Sequence, residues 1–323
     1  MISELTYFAL PDYAEPSSDR RASYYADNSY EGQVEGQEVA GKGKNMKNQC
    51  LVCDQPTQFY GRGIMRMRQE EDVLTDFFLC KECNTFYRKI KNENLMSRHF
   101  DKADYNQIKW ESEYWEQRKG FYNFLIDSLN KHVTDFSNQT VFDIGCSYGH
   151  FLKICKQRGA NNLVGVEINS HLRQRVANSL AISTYPNLDD TKGQADTITF
   201  IDSFYYFDNP NKILDLVRKK LKDNGTLLLR ITNRSNLLKL INLFKKTKDC
   251  TKLGDATISY SLNSIKKVLA KNGFSIQKIL YYEKGKGNST KKLLIYLFLY
   301  CLTMLSFYRV PLTSGLIIIA KKV

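Results

Sequence analysis

Residues 141–152, with the sequence VFDIGCSYGHFL, constrain the fold of this chain more than any other segment. The apolar first half predicts a buried strand, the two glycines predict a tight turn, and the last residues predict the start of a helix. Gly145 and Gly149 have no Cβ, so a ligand can lie close to the backbone of this turn. The amide groups that open the following helix would face that ligand. This unit predicts an α/β fold with a ligand site at the turn.

A second apolar strand, residues 163–166, ends in Glu167, which lies 22 residues after Gly145. An acid in this place can accept hydrogen bonds from both hydroxyls of a ribose, as in nucleotide-binding α/β folds. The glycine spacing is Gly-x-x-x-Gly, whereas a dinucleotide-binding turn needs Gly-x-Gly-x-x-Gly. Asp143 precedes the turn, where its charge would repel a pyrophosphate and attract a cation. The pattern therefore favours a cationic ligand over a dinucleotide.

These residues resemble motif I of the class I S-adenosylmethionine-dependent methyltransferases, which reads Asp/Glu-x-Gly-x-Gly-x-Gly. Ser147 replaces the middle glycine, a departure that costs little if its backbone stays in an allowed region. The resemblance implies that Asp143 and the turn hold the methionine part of the cofactor, S-adenosylmethionine, and that Glu167 holds its ribose. The residues expected at the cofactor are Asp143, Gly145, Cys146, Gly149, Glu167, Ile168, Leu188 and Asp202.

Two cysteine pairs with Cys-x-x-Cys spacing precede this unit, Cys50 with Cys53 and Cys80 with Cys83. Each pair can place two thiolates on one metal ion, and two pairs complete the closed tetrahedral shell of a structural zinc. The 26 residues between the pairs exceed the usual spacing of a zinc ribbon. Four thiolates leave no open position for catalysis. We therefore expect a structural Zn²⁺ in a small ribbon-like domain.

Composition and hydrophobic pattern divide the chain into four segments. Residues 1–45 are poor in aliphatic side chains, which predicts disorder, and residues 46–100 form the zinc-ribbon-like domain. Residues 101–138 form an aromatic helical connector, and residues 139–323 form the S-adenosylmethionine-binding domain. In that last segment strands alternate with helices, which predicts a parallel sheet covered on both faces. The expected strands lie near 140–144, 163–167, 181–185, 197–202, 226–232, 274–280 and 314–320, and two of the expected helices lie near 210–221 and 262–271.

The cysteine pairs, the connector, motif I and residues 196–233 together resemble bacterial methyltransferases with an N-terminal zinc-binding domain, which are typical of polysaccharide and deoxysugar pathways. The resemblance implies an α/β fold with a Rossmann-like, seven-stranded methyltransferase sheet and a small N-terminal zinc ribbon. It also implies methyl transfer to a sugar or a related small molecule, with a sugar nucleotide or a lipid-linked saccharide as acceptor.

The catalytic base is less well indicated than the cofactor site. The relatives often have Glu-His in the loop after the fourth strand, where this chain has Tyr205 and Tyr206. A tyrosine with an ordinary pKa of about 10 is a poor base near neutral pH. The candidates for the base are Tyr205, Tyr206 and His150, and a packing role for the two tyrosines stays open. An inactive scaffold that keeps the fold is an alternative function.

The charge of the chain is unevenly distributed. Residues 210–323 carry 23 Lys and Arg against 5 Asp and Glu, whereas residues 1–209 carry 24 against 29. The cationic part would attract sugar nucleotides, lipid-linked phosphates, an anionic membrane or RNA, unless it is only a solvated lysine-rich surface. An RNA-modifying methyltransferase is therefore a second alternative. The loop after the fourth strand lacks the Asn/Asp-Pro-Pro-Tyr/Phe of enzymes that methylate nucleic-acid bases, which argues against this alternative.

Residues 293–308 contain no charged side chain, and lysines precede them. Sixteen residues are too few for a membrane-spanning helix, which needs about 20. Residues 284–309 could make a peripheral contact with anionic lipid. The interpretation that we favour is a helix inserted between the last two strands and packed on the sheet. Residues 1–4 are acidic and no apolar core follows them, so we expect no signal peptide and a cytoplasmic protein.

Overall fold

The computed structural model describes residues 49–65, 73–89, 108–132, 136–243, 245–282, 290–307, 311–313 and 315–323. The segment 1–45, for which the sequence predicts disorder, lies outside the described residues. In chain order the strands are β1 Gln58–Met65, β2 Val73–Cys80, β3 Thr85–Lys89, β4 Thr140–Ile144, β5 Asn162–Val166, β6 Ser183–Tyr185, β7 Ala195–Ile201, β8 Leu221–Thr232, β9 Ile258–Ser259, β10 Phe274–Tyr282 and β11 Gly315–Lys322. The helices are α1 Ile108–Asn130, α2 His150–Gln157, α3 Ser170–Leu180, α4 Pro210–Lys220, α5 Ser235–Ile241, α6 Leu262–Lys271 and α7 Thr290–Leu305.

Seven strands form the larger sheet, in the order β10-β11-β8-β7-β4-β5-β6. The five strands from β8 to β6 are parallel, whereas β11 is antiparallel to both β8 and β10. This is the Rossmann-like seven-stranded arrangement that the resemblance implies, and all seven predicted strands are present. The parallel pairing that the strand and helix alternation predicts holds from β8 to β6 and does not extend to β10 and β11. The chain returns from β10 through α7 and inserts β11 in the opposite direction beside β8.

Apolar side chains of the central strands alternate between the two faces of this sheet. In β8, Leu227 and Leu229 face a core that α4 and α6 cover, whereas Leu228 faces the core under α1 and α2. Such strands are apolar on both faces because helices cover both faces. The apolar run at the end of the chain is β11, and its side chains from Leu316 to Ala320 are fully buried, as expected for an interior strand.

The smaller sheet has the order β1-β2-β3-β9 and is antiparallel. Three of its strands come from the cysteine-containing segment. The fourth, β9, comes from the region between α5 and α6, and it pairs Ile258 with Tyr87 and Ser259 with Phe86. A two-residue strand from the larger domain therefore completes the sheet of the N-terminal module, and the two parts of the chain share this sheet.

Helix α7 differs from the packing that we favour from the sequence. Among its described side chains Thr303 is buried and Leu299 and Leu302 are half-buried, while Leu297, Phe298, Met304 and Leu305 are exposed. Between residues 297 and 305, the helix therefore packs on the protein through the side that carries Leu299, Leu302 and Thr303, and the apolar residues on its other side are exposed. No helix in the described part of the chain is long and apolar enough to cross a membrane.

Candidate functional site

The turn between β4 and α2 contains three residues with positive φ. Gly145 has a φ of 77°, Ser147 has 49° and Gly149 has 70°. The amides of Gly145 and Cys146 both donate to the carbonyl oxygen of Val166, at 2.7 and 3.0 Å, which fixes the turn to the end of β5. Ser147 therefore lies in the left-handed region, where a residue with a Cβ is disfavoured by about 1 kcal/mol. The backbone of Ser147 thus stays in an allowed but sparsely populated region, and the departure from the glycine motif has a small cost.

The two glycines are required by contacts within the protein. A Cβ at Gly145 would lie 2.6 Å from the Cβ of Ser203, and a Cβ at Gly149 would lie 2.9 Å from Val176. The sequence suggested that these positions leave room for a ligand. In the structure Ser203, in the loop after β7, fills the space beside Gly145, and Val176 of α3 fills the space beside Gly149. The glycines thus allow the turn to pack tightly between its neighbours.

Glu167 lies beside this turn, at the carboxyl end of β5. It is buried, its Oε2 accepts a hydrogen bond from the amide of Ser147 at 2.9 Å, and its Oε1 accepts one from the amide of Asn169 at 3.0 Å. Each carboxylate oxygen can accept a second hydrogen bond, so two hydroxyls of one sugar could still bind. The next residue, Ile168, is exposed and offers an apolar surface beside the carboxylate. This arrangement fits the ribose and the base of a nucleoside.

Asp143 lies one residue before the end of β4 and is 2% exposed. Its Oδ1 accepts a hydrogen bond from the hydroxyl of Thr199 at 2.6 Å. Burial above all, and the negative charge of Glu167 to a lesser extent, raise the pKa of Asp143 to about 7 against the lowering effect of the Thr199 hydrogen bond. Burial also raises the pKa of Glu167. Two buried acids at adjacent strand ends thus favour a cationic ligand, as S-adenosylmethionine is.

Three other expected cofactor residues are engaged with the protein itself. The Cys146 side chain is buried and packs so closely on β5 that a Cβ at Gly165 would lie 2.9 Å from its sulfur. Leu188 is buried in the core on the α4 face. Asp202 forms ion pairs with Arg118 of α1, at 3.1 Å, and with Arg230 of β8. In the sequence, Arg230 interrupts an apolar strand, a signal that could have revealed this buried cluster.

His150, the first residue of α2, is enclosed by aromatic rings. The centroid of its ring lies 5.9 Å from that of Tyr114, 5.2 Å from that of Trp115 and 5.5 Å from that of Tyr148. Burial above all, together with nearby cationic side chains, lowers the pKa of His150 to about 4. The imidazole is therefore neutral at physiological pH and a weaker base than an ordinary histidine. The aromatic residues that begin α1 thus lie against the motif turn.

Tyr205 and Tyr206 lie in a short 3₁₀ helix, Phe204–Tyr206, that follows β7. Tyr205 is buried, and its backbone carbonyl accepts a hydrogen bond from the amide of Thr257 at 3.1 Å. The hydroxyl of Tyr206 donates to Oδ2 of Asp255 at 3.0 Å. Asp255 precedes β9, and no motif in the sequence singles it out. The structure therefore adds a carboxylate partner to one of the two candidate tyrosines.

The four predicted zinc ligands form one cluster. The sulfur atoms of Cys50, Cys53, Cys80 and Cys83 all lie within 4.8 Å of one another, with 3.4 Å between Cys50 and Cys83 and 3.5 Å between Cys53 and Cys80. Thiolates at the corners of a tetrahedron around zinc, with Zn–S bonds of about 2.3 Å, lie about 3.8 Å apart. The cluster is therefore compatible with a closed tetrahedral zinc site.

The two cysteine knuckles have the same local geometry. After each pair the chain turns through a residue with positive φ, Asp54 at 59° and Asn84 at 58°, which are residue types that tolerate this conformation. The amide of each donates to the carbonyl of the first cysteine of its pair, at 2.8 and 2.9 Å. The Cys-x-x-Cys-Asp/Asn sequence thus forms the same tight turn twice.

Two hydroxyl groups of β3 support the cluster from outside. The Tyr87 hydroxyl lies 3.0 Å from the sulfur of Cys50, and the Thr85 hydroxyl lies 2.9 Å from that of Cys83. With thiolate ligands these hydroxyls donate, which disperses the charge on sulfur and orients the ligands. Thr85 and Tyr87 are two positions apart on β3, the strand that follows the second knuckle, so their side chains lie on the same side of that strand. The sequence analysis did not identify either residue.

Comparison with known proteins identifies the larger domain. A family model described as a methyltransferase domain matches residues 114–279, slightly more than half of the chain. No curated protein sequence matches significantly. Similar solved structures include an S-adenosylmethionine-dependent methyltransferase from Mesorhizobium loti (12% identity, 61% of this chain and 96% of that chain, TM-score 0.43). They also include magnesium protoporphyrin IX methyltransferase from Synechocystis PCC 6803 with bound SAH (16% identity, 72% and 100%, TM-score 0.46).

Proposed function

The chain belongs to the class I S-adenosylmethionine-dependent methyltransferases, and from this premise we propose that it methylates a sugar or a related small molecule in polysaccharide or deoxysugar biosynthesis. The observation that supports cofactor binding is the pair of buried acids, Asp143 and Glu167, at the ends of β4 and β5. S-adenosylmethionine, when bound, supplies an electrophilic methyl group on a sulfonium.

The residues at the strand ends would bind and orient this cofactor. Glu167 is already fixed by two backbone amides, so its carboxylate needs little reorganisation to accept ribose hydroxyls. Asp143 supplies negative charge in a buried place, where a positive charge is attracted more strongly than in water. Ile168 would cover one face of the adenine.

Tyr206 and Asp255 are the residues that we assign to proton removal. Methylation of a hydroxyl requires loss of the proton from the acceptor oxygen. In our proposal the acceptor proton passes to the phenol oxygen of Tyr206 while the phenol proton passes to Asp255, along the 3.0 Å hydrogen bond between them. S-adenosylmethionine, held by Asp143 and Glu167, would supply the methyl group to the acceptor oxygen that has lost its proton. His150 serves less well because burial lowers its pKa to about 4.

The resemblance to zinc-containing sugar methyltransferases supports the acceptor class. The cysteine cluster agrees with the metal site that this resemblance implies. In addition, β9 of the smaller sheet directly follows Asp255 and Thr257, so the N-terminal module borders the loop that carries Tyr206. A sugar nucleotide also suits the excess of 23 cationic over 5 anionic side chains in residues 210–323.

Calorimetry with S-adenosylmethionine tests the cofactor site. Binding should weaken strongly in Glu167→Ala and should be unchanged in Glu116→Ala, which removes an exposed acid of α1. If neither the wild type nor the control binds S-adenosylmethionine, the assignment of the site is wrong.

Methyl transfer from labelled cofactor to a panel of sugar nucleotides tests the acceptor and the base. We expect Tyr206→Phe and Asp255→Asn to lower kcat with little change in cofactor affinity, and Tyr205→Phe to have a smaller effect. Transfer to bulk RNA and to none of the sugar nucleotides would contradict the acceptor class. An equal loss of kcat in Tyr205→Phe and Tyr206→Phe would contradict the assignment of proton removal to Tyr206.

A further inference from the structure

Helix α7 is apolar on both sides, so the face that it turns away from the protein is apolar as well as the face that packs. Positions 299, 302, 303 and 306 recur every three or four residues, and they are half-buried or buried against the rest of the molecule. The opposite positions are exposed: Leu297, Phe298, Cys301, Met304 and Leu305. Phe298 is 62% exposed and Leu305 is 76% exposed. Soluble proteins seldom leave such a continuous apolar face in water unless it binds something.

A second exposed apolar cluster lies on and just after α5, at Leu240, Ile241 and Leu243. The chain after α7 connects the two helices. The amide of Leu312 donates to the Thr303 hydroxyl at 2.9 Å, and the side chain of Asn236 in α5 donates to the carbonyl of Pro311 at 3.2 Å. Both apolar clusters therefore belong to helices that contact residues 311–313.

Lysines flank these apolar clusters in the sequence. Lys245 and Lys246 follow α5 and are exposed, and Lys291 and Lys292 lie in the first turn of α7. No acidic residue occurs between Glu283 and the end of the chain. An apolar face with flanking lysines is the pattern of a helix that lies in the interface of an anionic bilayer. An RNA-binding surface has basic side chains for the phosphates and aromatic side chains that stack on the bases. Aliphatic residues such as Leu297, Met304 and Leu305 make neither kind of contact.

We propose that α7, together with the end of α5, docks the protein on the surface of an anionic lipid bilayer. The helix would lie parallel to the membrane, since its 16 residues are too short to span the hydrocarbon region. Its apolar face would enter the acyl boundary, and the lysines would contact lipid phosphates. Because α5 follows β8 directly, docking would bring the carboxyl edge of the large sheet near the membrane surface. This proposal does not depend on the identity of the acceptor.

Co-sedimentation with vesicles tests the proposal on the full-length protein. We expect the wild type to bind vesicles that contain phosphatidylglycerol, to bind pure phosphatidylcholine more weakly, and to lose binding as salt is raised. The variants Phe298→Glu and Leu305→Glu should each weaken binding to the anionic vesicles by about tenfold to a hundredfold, because each loses one inserted side chain.

Leu74→Glu is the matched control. Leu74 lies on β2 in the smaller sheet and is 62% exposed, the same fraction as Phe298, so this change is chemically similar but lies outside the two helices of the proposed docking surface. It should leave vesicle binding unchanged, and thermal unfolding of all three variants should match that of the wild type. The proposal is overturned if the wild type does not bind anionic vesicles or if Leu74→Glu weakens binding as much as Phe298→Glu. A dimer that Phe298→Glu dissociates, with no vesicle binding, would assign the face to a second copy of this chain.

Discussion

Protonation of Asp143 should be coupled to binding of the cofactor. The carboxyl group is buried, its Oδ1 accepts a hydrogen bond from the Thr199 hydroxyl, and its pKa is raised to about 7. A cation bound nearby stabilises the carboxylate and lowers this pKa towards its ordinary value of 3.8. Binding of S-adenosylmethionine should therefore release a proton at pH values below about 7.

The size of this effect follows from the pKa. With a pKa of about 7 in the free protein, Asp143 is about 90% protonated at pH 6 and about 10% protonated at pH 8. Binding should then release about 0.9 proton at pH 6, about 0.5 at pH 7 and about 0.1 at pH 8. The affinity for S-adenosylmethionine should rise about tenfold from pH 6 to pH 8.

Calorimetry in buffers with different ionisation enthalpies measures the number of protons released. The same titration of Asp143→Asn, which keeps an oxygen to accept from Thr199 but cannot ionise, should show weaker binding and a smaller release, which can come only from other groups such as Glu167. His150 does not interfere because its pKa of about 4 lies outside this window. A wild type that releases no proton at pH 6, or an Asp143→Asn variant that releases as many as the wild type, would refute this reasoning.

The raised pKa also fixes the sign of a stability effect. The folded state holds the Asp143 proton up to about pH 7, whereas the unfolded chain loses it near pH 3.8. Between these values the folded state binds more protons, so stability without cofactor falls as pH rises through this window. Each pKa unit corresponds to about 1.4 kcal/mol, so the free energy of unfolding should fall by at most about 4 kcal/mol across this window. Asp143→Asn should remove this slope in urea unfolding measured without cofactor.

Three further variants test the turn and the metal cluster. Ser147→Gly should raise the free energy of unfolding by about 0.5–1 kcal/mol in urea, because glycine adopts the φ of 49° without strain; no gain would contradict the strain at Ser147. Gly145→Ala should lower it by about 2–3 kcal/mol, since the new Cβ would lie 2.6 Å from Ser203; an unchanged stability would show that the contact relaxes easily. Tyr87→Phe should weaken zinc binding about tenfold in competition with a chelator, and equal affinity would exclude its hydrogen bond to Cys50 as a contributor.

Local sequence patterns predicted most of the larger sheet. Each strand is a short apolar run bounded by turn residues, and this pattern depends only on neighbouring positions. The helix expected near 262–271 is observed as Leu262–Lys271, where Ser261 and Ser264 form a capping box. The strand expected near 226–232 begins earlier, at Leu221, because Leu221 still pairs with Ala195 of β7. Helix α4 therefore ends at Lys220, where the pairing of Leu221 with β7 begins.

Contacts between distant parts of the chain were not predictable in this way. Strand β9 has two residues and pairs with β3 about 170 positions earlier, so it has no periodicity to detect. Asp255 acquires a possible function only because Tyr206 lies beside it. The sequence indicated that position 145 has no room for a Cβ. In the structure the close neighbour is Ser203 and not a ligand. The sequence indicates that a position is special, whereas tertiary contacts decide why.

The cysteine module and the loop with the candidate base are joined by a series of buried hydrogen bonds. The Ser261 hydroxyl, which caps α6, also donates to the carbonyl of Cys83 at 2.7 Å. Arg88 of β3 is buried, its amide donates to the carbonyl of Thr257 at 2.9 Å, and the amide of Thr257 donates to the carbonyl of Tyr205 at 3.1 Å. If the module unfolded, these buried groups would lose their partners at about 1–3 kcal/mol each. A zinc ion that takes no part in the reaction would thus still hold the loop of Tyr205 in place, because it stabilises the strand on which that loop depends.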